Sequence, residues 1–359
     1  MNHFMKIKLF LTFDHELPLG RIKTSYNASL FEPTEKVMTL ANELGVKLNL
    51  FTDILCAQQF KVWDNESFFI PYKAQLQKAI INGHDVQLHI HPHWLTSKFE
   101  NGTFLPSADF GLSNFRENVL FGGIQGIVKQ SIESLNEICK PVNADYKCIA
   151  YRAGGFNIAP ATSEIFHALY DQGIRYDSSM AKGYYFKSGI SEVDFRKLPK
   201  LPNWIVSPEN YHKASDSAGI LEIPIASIPK TPFEVPTLFK MKKYSSRAPI
   251  SHGEVIHSSN QVDRLSKLNM LFSSRLLSFD NYTLTLQYLM QIFKYNLKKH
   301  KSSETMLLSI ISHPKSMGDY SFELMKAFVL EIQNKYPDIE FLTYSQLHQT
   351  LENVHYDTK

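Results

Sequence analysis

Gly83–Trp94 reads GHDVQLHIHPHW. A glycine that ends a helix leads into DVQLHI, a β-strand that runs straight into three histidines at alternate positions, His89, His91 and His93. Whether this strand is one of a series decides the fold, and whether the histidines hold a metal decides the chemistry.

Upstream, IKLFLTFD (Ile7–Asp14) is apolar and ends in a carboxylate, as a buried parallel strand does. PTEKVMTLANELG follows, with Val37, Leu40, Ala41 and Leu44 at helical spacing and Gly45 as a stop. VKLNLFTD (Val46–Asp53) is a second strand, and IPYKAQLQKAIINGH a second helix that ends at Gly83. Downstream, GIVKQSIESLNEICK (Gly126–Lys140) predicts a helix, KCIAYRAGGF a strand ending near Arg152, ATSEIFHALYDQG a helix, and IRYDSS a short strand ending at Asp177. ILEIPIASIP (Ile220–Pro229) is strand-like, and TMLLSIISHP is a strand that reaches His313. FELMKAFVLEIQNKY and DIEFLTYSQL close the chain as helix and strand.

This alternation predicts an α/β fold with a parallel sheet, open or closed. Chemistry in such folds gathers at the C-terminal ends of the strands. Asp14, His89, Arg152, Asp177 and His313 all fall at or just beyond predicted strand ends. Residues 230–303 break the pattern and are expected to form a partly helical insertion or lid within a single domain spanning 1–359. Its basic ends, KMKK and KKHK, suit solvated helix ends or, as the alternative, a peripheral membrane contact.

The 359 residues carry 38 Lys and Arg against 35 Asp and Glu, a net charge of +3, too balanced for a nucleic-acid partner. The apolar run at the N-terminus meets Asp14 and Glu16 at once, unlike a signal peptide. No window approaches a transmembrane span. Three widely spaced cysteines, Cys56, Cys139 and Cys148, fit structural thiols in a reducing compartment, so a cytoplasmic setting is expected.

In Asp14-His15-Glu16 an extended backbone turns both carboxylates to one face and His15 to the other, offering one metal ligand and one general base. The histidines allow two arrangements. Continued strand geometry puts all three on one face, whereas a coil at Pro92 brings His89 and His93 together and leaves His91 to support them or meet substrate. Imidazoles with a carboxylate suit Zn²⁺ or a similar divalent ion, Co²⁺, Ni²⁺ or Mn²⁺. Arg152 suits a fixed pairing with a buried carboxylate, and the glycines after it allow a backbone N–H to approach an oxyanion. His313 is a candidate general acid or third nitrogen ligand.

In their order these motifs resemble the polysaccharide deacetylases, the NodB-homology group of carbohydrate esterase family four. Thr12–Glu16 (TFDHE) is similar to the family's first motif, and Gly83-His84-Asp85 followed by His89 and His93 to its second. Arg152-Ala153-Gly154-Gly155 stands where the family has Arg before Pro-Pro-Tyr, and Ile311-Ser312-His313 where it has Leu-x-His. The resemblance covers roughly residues 7–195 and 305–345. It implies a distorted (β/α) barrel and metal-dependent removal of an N-acetyl group from an amino sugar. Carried over, it implies Asp14 as general base, Arg152 as its partner, and Glu16, His89 and His93 around the metal, with His15 as the alternative ligand. It further implies His313 as general acid, aligned by Asp177, and a backbone N–H near Gly155 at the oxyanion. The substrate is then an N-acylated carbohydrate, with an intracellular or lipid-linked precursor expected. A deformylase, a cyclic-amide hydrolase, an amidohydrolase using His89 and His91 as a His-x-His pair, and an inactive glycan-binding protein are the alternatives.

Overall fold

The computed structural model describes residues 5–100, 103–231, 262–280 and 285–356. Seven parallel segments form the frame. They are β1 (Lys6–His15), β2 (Asn49–Asp53), β3 (Asp85–Ile90), β4 (Ala150–Ala153), β5 (Tyr176–Asp177), β6 (Leu221–Glu222) and β7 (Thr305–Ser312). The sheet runs β6-β5-β4-β3-β2-β1-β7. Its two ends meet through Ile225, which bridges Ala181 on one side and Ser309 on the other. The seam is short: Ala226 donates to the Ser309 carbonyl at 2.8 Å, and Ser309 to Pro224 at 3.1 Å. The result is a distorted barrel, firmly laddered from β1 to β7 and latched at one point.

Helices cover the outside. α1 (Glu32–Glu43) carries Pro33 in its first turn, where no backbone N–H is needed, and gives way to Gly45 at φ +67. α2 (Ile54–Trp63) and α3 (Ile70–Ile81) lie between β2 and β3, and α4 (Gly123–Cys139) and α5 (Thr162–Asp171) flank β4. α6 (Arg264–Leu271), α7 (Leu286–Lys299), α8 (Asp319–Lys335) and α9 (Tyr344–Tyr356) complete the set.

The sequence reading missed two of these. α2 follows β2 without a break, and TYSQL, expected as strand, opens α9 after a strand of two residues, Glu340–Phe341. Within 230–303, KMKK lies outside the described residues. α7 packs Leu289, Ile292 and Phe293 into the main core, and Lys298 and Lys299 sit in its last turn, where cations complement the helix dipole.

Strand alternation sorts the side chains into two sets. Leu9, Leu11, Phe13, Leu50, Val86, Leu88 and Ile90 face the helices in the large core. Phe10, Phe51, Ala150, Tyr176 and Leu307 have the other parity and pack together with Tyr344. Above this apolar floor the same parity turns polar: Thr12, Asp14, Gln87, His89, Arg152, Ser178 and Ser309 are all buried. Position 10 is thus floor and positions 14 and 16 are site.

The GHD residues serve the opposite end. His84 Nδ1 accepts from Leu48 N–H at 3.2 Å. Asp85 Oδ2 accepts from Ser345 N–H and Oδ1 from the Ser345 hydroxyl, both at 2.9 Å, which ties the foot of β3 to the first turn of α9.

Candidate active site

Asp14 and Glu16 leave the end of β1 on the inner parity and are 2% and 3% exposed, so both charges need partners. Asp14 Oδ1 accepts from Arg152 Nη1 at 2.6 Å. Arg152 is itself fixed, donating through Nε to the Ser178 carbonyl (2.8 Å) and through Nη2 to the Ser178 hydroxyl (2.9 Å), with its guanidinium over the Phe51 ring. Burial pushes the pKa of Asp14 up, but Arg152, with His89 and His313, more than reverses this and holds it well below the usual carboxylate range. Arg152 thus favours the carboxylate form of Asp14.

Glu16 divides its oxygens. Oε1 lies 3.0 Å from Lys315 Nζ and 3.5 Å from His313 Nε2. Oε2 lies 2.6 Å from His91 Nε2 and 3.4 Å from His89 Nε2. One ligand atom each from Glu16, His89 and His91 falls within 4.8 Å of the others. His89 Nδ1 is 2.9 Å from the Arg152 carbonyl, an atom that only accepts, so Nδ1 carries the proton and Nε2 offers a lone pair. That Nε2 is buried without a hydrogen-bond partner. Two imidazole nitrogens aimed at one carboxylate oxygen, at 2.6 and 3.4 Å, fit a divalent metal ion.

The structure thus brings His91, not His93, beside Glu16 and His89. The backbone of His91 is still extended (φ −107, ψ 95), so the alternation of β3 carries His89 and His91 to one face. Pro92 then opens a short 3-10 turn (Pro92–Thr96), which swings His93 against Trp94 and Phe110, at 4.8 and 5.3 Å between ring centres. Both His93 nitrogens are buried without partners, and burial, then the charge of His91, push its pKa down to about 3. The expected coil at Pro92 is there, but it begins one residue too late to turn His91 away. His15 also leaves the site: it faces outward, with Nε2 2.9 Å from Gln75 Oε1 and its ring against Tyr72.

His313 follows β7, a quarter exposed, with Nε2 3.4 Å from Asp14 Oδ2. Its partner is Asp280, not Asp177. Asp280 Oδ2 lies 2.8 Å from His313 Nδ1, and Oδ1 accepts from the His313 N–H at 2.7 Å. Burial lowers the pKa of His313, but Asp280 and Asp14 raise it to about 10. Asp177 has the parity opposite to Tyr176 and Ser178 and so points out of the barrel. There it accepts from the Ser179 hydroxyl at 2.7 Å and lies in register with Glu222. Burial raises the pKa of both acids, and Glu222 is raised further by Asp177.

The sequence reading passed over three more residues. Asp53 closes β2 as Asp14 closes β1, and the same argument selects it. Its Oδ2 accepts from Trp94 Nε1 at 2.6 Å and Oδ1 from the His91 N–H at 3.4 Å, which braces the histidine turn. Lys315 lies in a three-residue 3-10 turn (Pro314–Ser316) and Asp280 in a loop, both too short for periodicity to carry a signal. Gly154 is small of necessity, because a Cβ there would meet the Ile90 carbonyl at 2.4 Å and the His91 ring at 2.7 Å. Gly155, at φ +55, lies between Asn157 and Phe110.

No family model and no curated protein matches this chain. Among solved structures, the PuuE allantoinase has a TM-score of 0.50 and 11% identity, covering 97% of this chain and 91% of that one. A putative polysaccharide deacetylase from Mycobacterium smegmatis gives 0.49 and 11% over 98% and 92%. A probable polysaccharide deacetylase from Pseudomonas aeruginosa PAO1 gives 0.48 and 11% over 96% and 90%. The chain shares with the PuuE allantoinase the fold of a distorted (β/α) barrel.

Proposed function

We propose that this protein is a metal-dependent hydrolase that removes an N-acetyl or similar N-acyl group from an amino sugar of a polysaccharide or its precursor. One observation carries the reading. A buried two-histidine, one-carboxylate donor set stands between a carboxylate kept ionised by Arg152 and a histidine kept protonated by Asp280. A base and an acid whose pKa values are pushed apart across one metal position suit amide hydrolysis.

Glu16, His89 and His91 would hold the ion, Zn²⁺ in the first place, with Co²⁺, Ni²⁺ or Mn²⁺ as alternatives. When bound, such an ion polarises a carbonyl and makes water acidic near neutral pH. Asp14 takes the proton of the attacking water, and Arg152 keeps that carboxylate ionised and oriented. A backbone N–H near Gly155 is the proposed second donor to the oxyanion, at a position where a Cβ would meet Asn157 at 2.8 Å and Phe110 at 2.9 Å. His313 gives its Nε2 proton to the departing amine, while Asp280 holds Nδ1–H and fixes the ring. A cytoplasmic setting belongs to the same proposal and rests on the three buried, unpaired thiols. Among the described residues no helix is long and apolar enough to cross a membrane.

Acyl release tests the reading: metal-loaded and chelator-stripped protein, each with N-acetylated and N-formylated glucosamine and its oligomers. Metal is expected to raise release of one acyl group by about 10³-fold or more. Release of neither acyl group by the loaded protein defeats the proposal. Asp280→Asn is expected to lower kcat by about 10²-fold at unchanged metal content, because His313 loses the carboxylate that keeps it charged and aligned. An unchanged kcat would remove Asp280 from the mechanism.

A further inference from the structure

The basic end of α7 reaches past its own helix. Lys299 lines a cavity of about 260 Å³ together with Lys182, Lys200, Ser227, Tyr295 and Asn296. Lys182 follows Ala181 and Ser227 follows Ala226, so the cavity adjoins the two sides of the barrel seam. The Ser227 hydroxyl donates to the Lys182 carbonyl at 2.8 Å, and Asn296 Nδ2 donates to the Ser227 carbonyl at 3.0 Å. Seam and helix thus share one wall. The helix dipole accounts for a cation at position 299 but not for Lys182 or Lys200, which come to the same space from two other segments.

Lys182 is held in place before any ligand arrives. Its ammonium donates to the Leu201 carbonyl, lies 3.3 Å from His300 Nε2 and sits 5.2 Å over the Trp204 ring. His300 is buried, and burial, then the charges of Lys182 and Lys299, push its pKa down to about 4, so its Nε2 accepts from the ammonium. An ammonium has three donors, and these contacts use two. Burial, then Lys299, push the pKa of Lys182 down to about 7 against a weaker pull from Glu222, and burial, then Lys200, push that of Lys299 down. Each cation is therefore destabilised by the next, and an anion among them relieves all three. Lysine meets phosphate as a point charge, and one phosphate group has oxygens enough for several. The volume lies just under the ~300–1,000 Å³ of pockets for drug-sized ligands, which suits a small anionic group.

We propose that this cavity binds a phosphate or diphosphate group, held by Lys182, Lys200 and Lys299, and that the bound anion braces the barrel seam from outside. The site shares no residue with the candidate active site, and the inference stands apart from the deacetylase reading.

The test is calorimetric titration of the full chain with inorganic diphosphate, beside melting curves at rising diphosphate and flotation with phosphatidylcholine vesicles, with and without phosphatidic acid. Diphosphate is expected to bind saturably at one site and to raise Tm with its concentration, as a ligand of the folded state does. Lys200→Gln and Lys299→Gln, both at exposed positions that leave the core untouched, should each weaken binding by about tenfold. Lys298→Gln is the control: it is exposed on the same helix end and is not among the described lining residues, so it should leave binding unchanged. Flotation that needs phosphatidic acid, is lost in Lys299→Gln and is competed by diphosphate supports the site with a lipid-borne phosphate. Diphosphate binding without flotation supports it with a soluble one. Absence of saturable binding overturns the proposal. So does a loss in Lys298→Gln equal to that in Lys299→Gln, which would mark only the diffuse charge of the helix end.

Discussion

His91→Ala is expected to abolish stoichiometric metal binding, and His93→Ala to leave it intact. The two histidines are two residues apart and equally buried, so only their direction distinguishes them. His91 Nε2 stands 2.6 Å from Glu16 Oε2, whereas His93 packs among Trp94, Phe104 and Phe110. Loss of a support to a ligand typically costs 10–100-fold in metal affinity, so loss of a ligand should weaken it by at least about a hundredfold. The turn should survive, because Asp53 holds the His91 backbone N–H, which alanine retains. His93→Ala removes ring packing instead and should lower thermal stability by about 1–2 kcal/mol. Elemental analysis after dialysis, with a chromophoric chelator as competitor, reads both variants. Metal lost from His93→Ala and kept by His91→Ala would restore the pairing expected from the motif.

Asp14→Asn is expected to lower kcat/KM by about 10³-fold while the protein still binds one equivalent of metal. Removal of a general base costs 10²–10⁴-fold. Asparagine has nearly the same shape and still accepts from Arg152, so the fold should hold, although a buried guanidinium without its counter-ion is costly, of order 3–5 kcal/mol in other buried pairs. A melting curve separates that effect from catalysis. If the folded, metal-loaded variant keeps more than about a tenth of the activity, Asp14 is not the base.

The frame was legible because the strands are long enough to show their character. IKLFLTFD and TMLLSIISH announce buried strands, and strand ends in such a frame point at the chemistry. Alternation then placed Glu16 beside Asp14 and set His15 apart, as the structure has them. The same rule, applied two residues past His89, selects His91, whereas similarity to a motif selected His93. What decided between them is a single ψ value before Pro92, which no pattern of residue types reports. Asp177 failed as the partner of His313 for a related reason: a strand of two residues gives too little alternation to tell inside from outside. Asp280 was out of reach, since a loop carboxylate gains its role only from the fold that delivers it to β7.

The tie between Asp85 and Ser345 bears on how the molecule is made. β3 and the residue after it hold two of the three candidate ligands, yet the foot of this strand is anchored by a segment 260 positions later in the chain. β1, which leads into the third, pairs from Lys6 to Phe13 with Thr305–Ser312. A nascent chain that has all three ligands outside the ribosome still has a bare edge along β1 and an unanchored β3. Contacts so distant in sequence are slow to form, because loop closure precedes any reward from them. Metal capture and barrel closure should therefore come together, late, when the last strand finds the first.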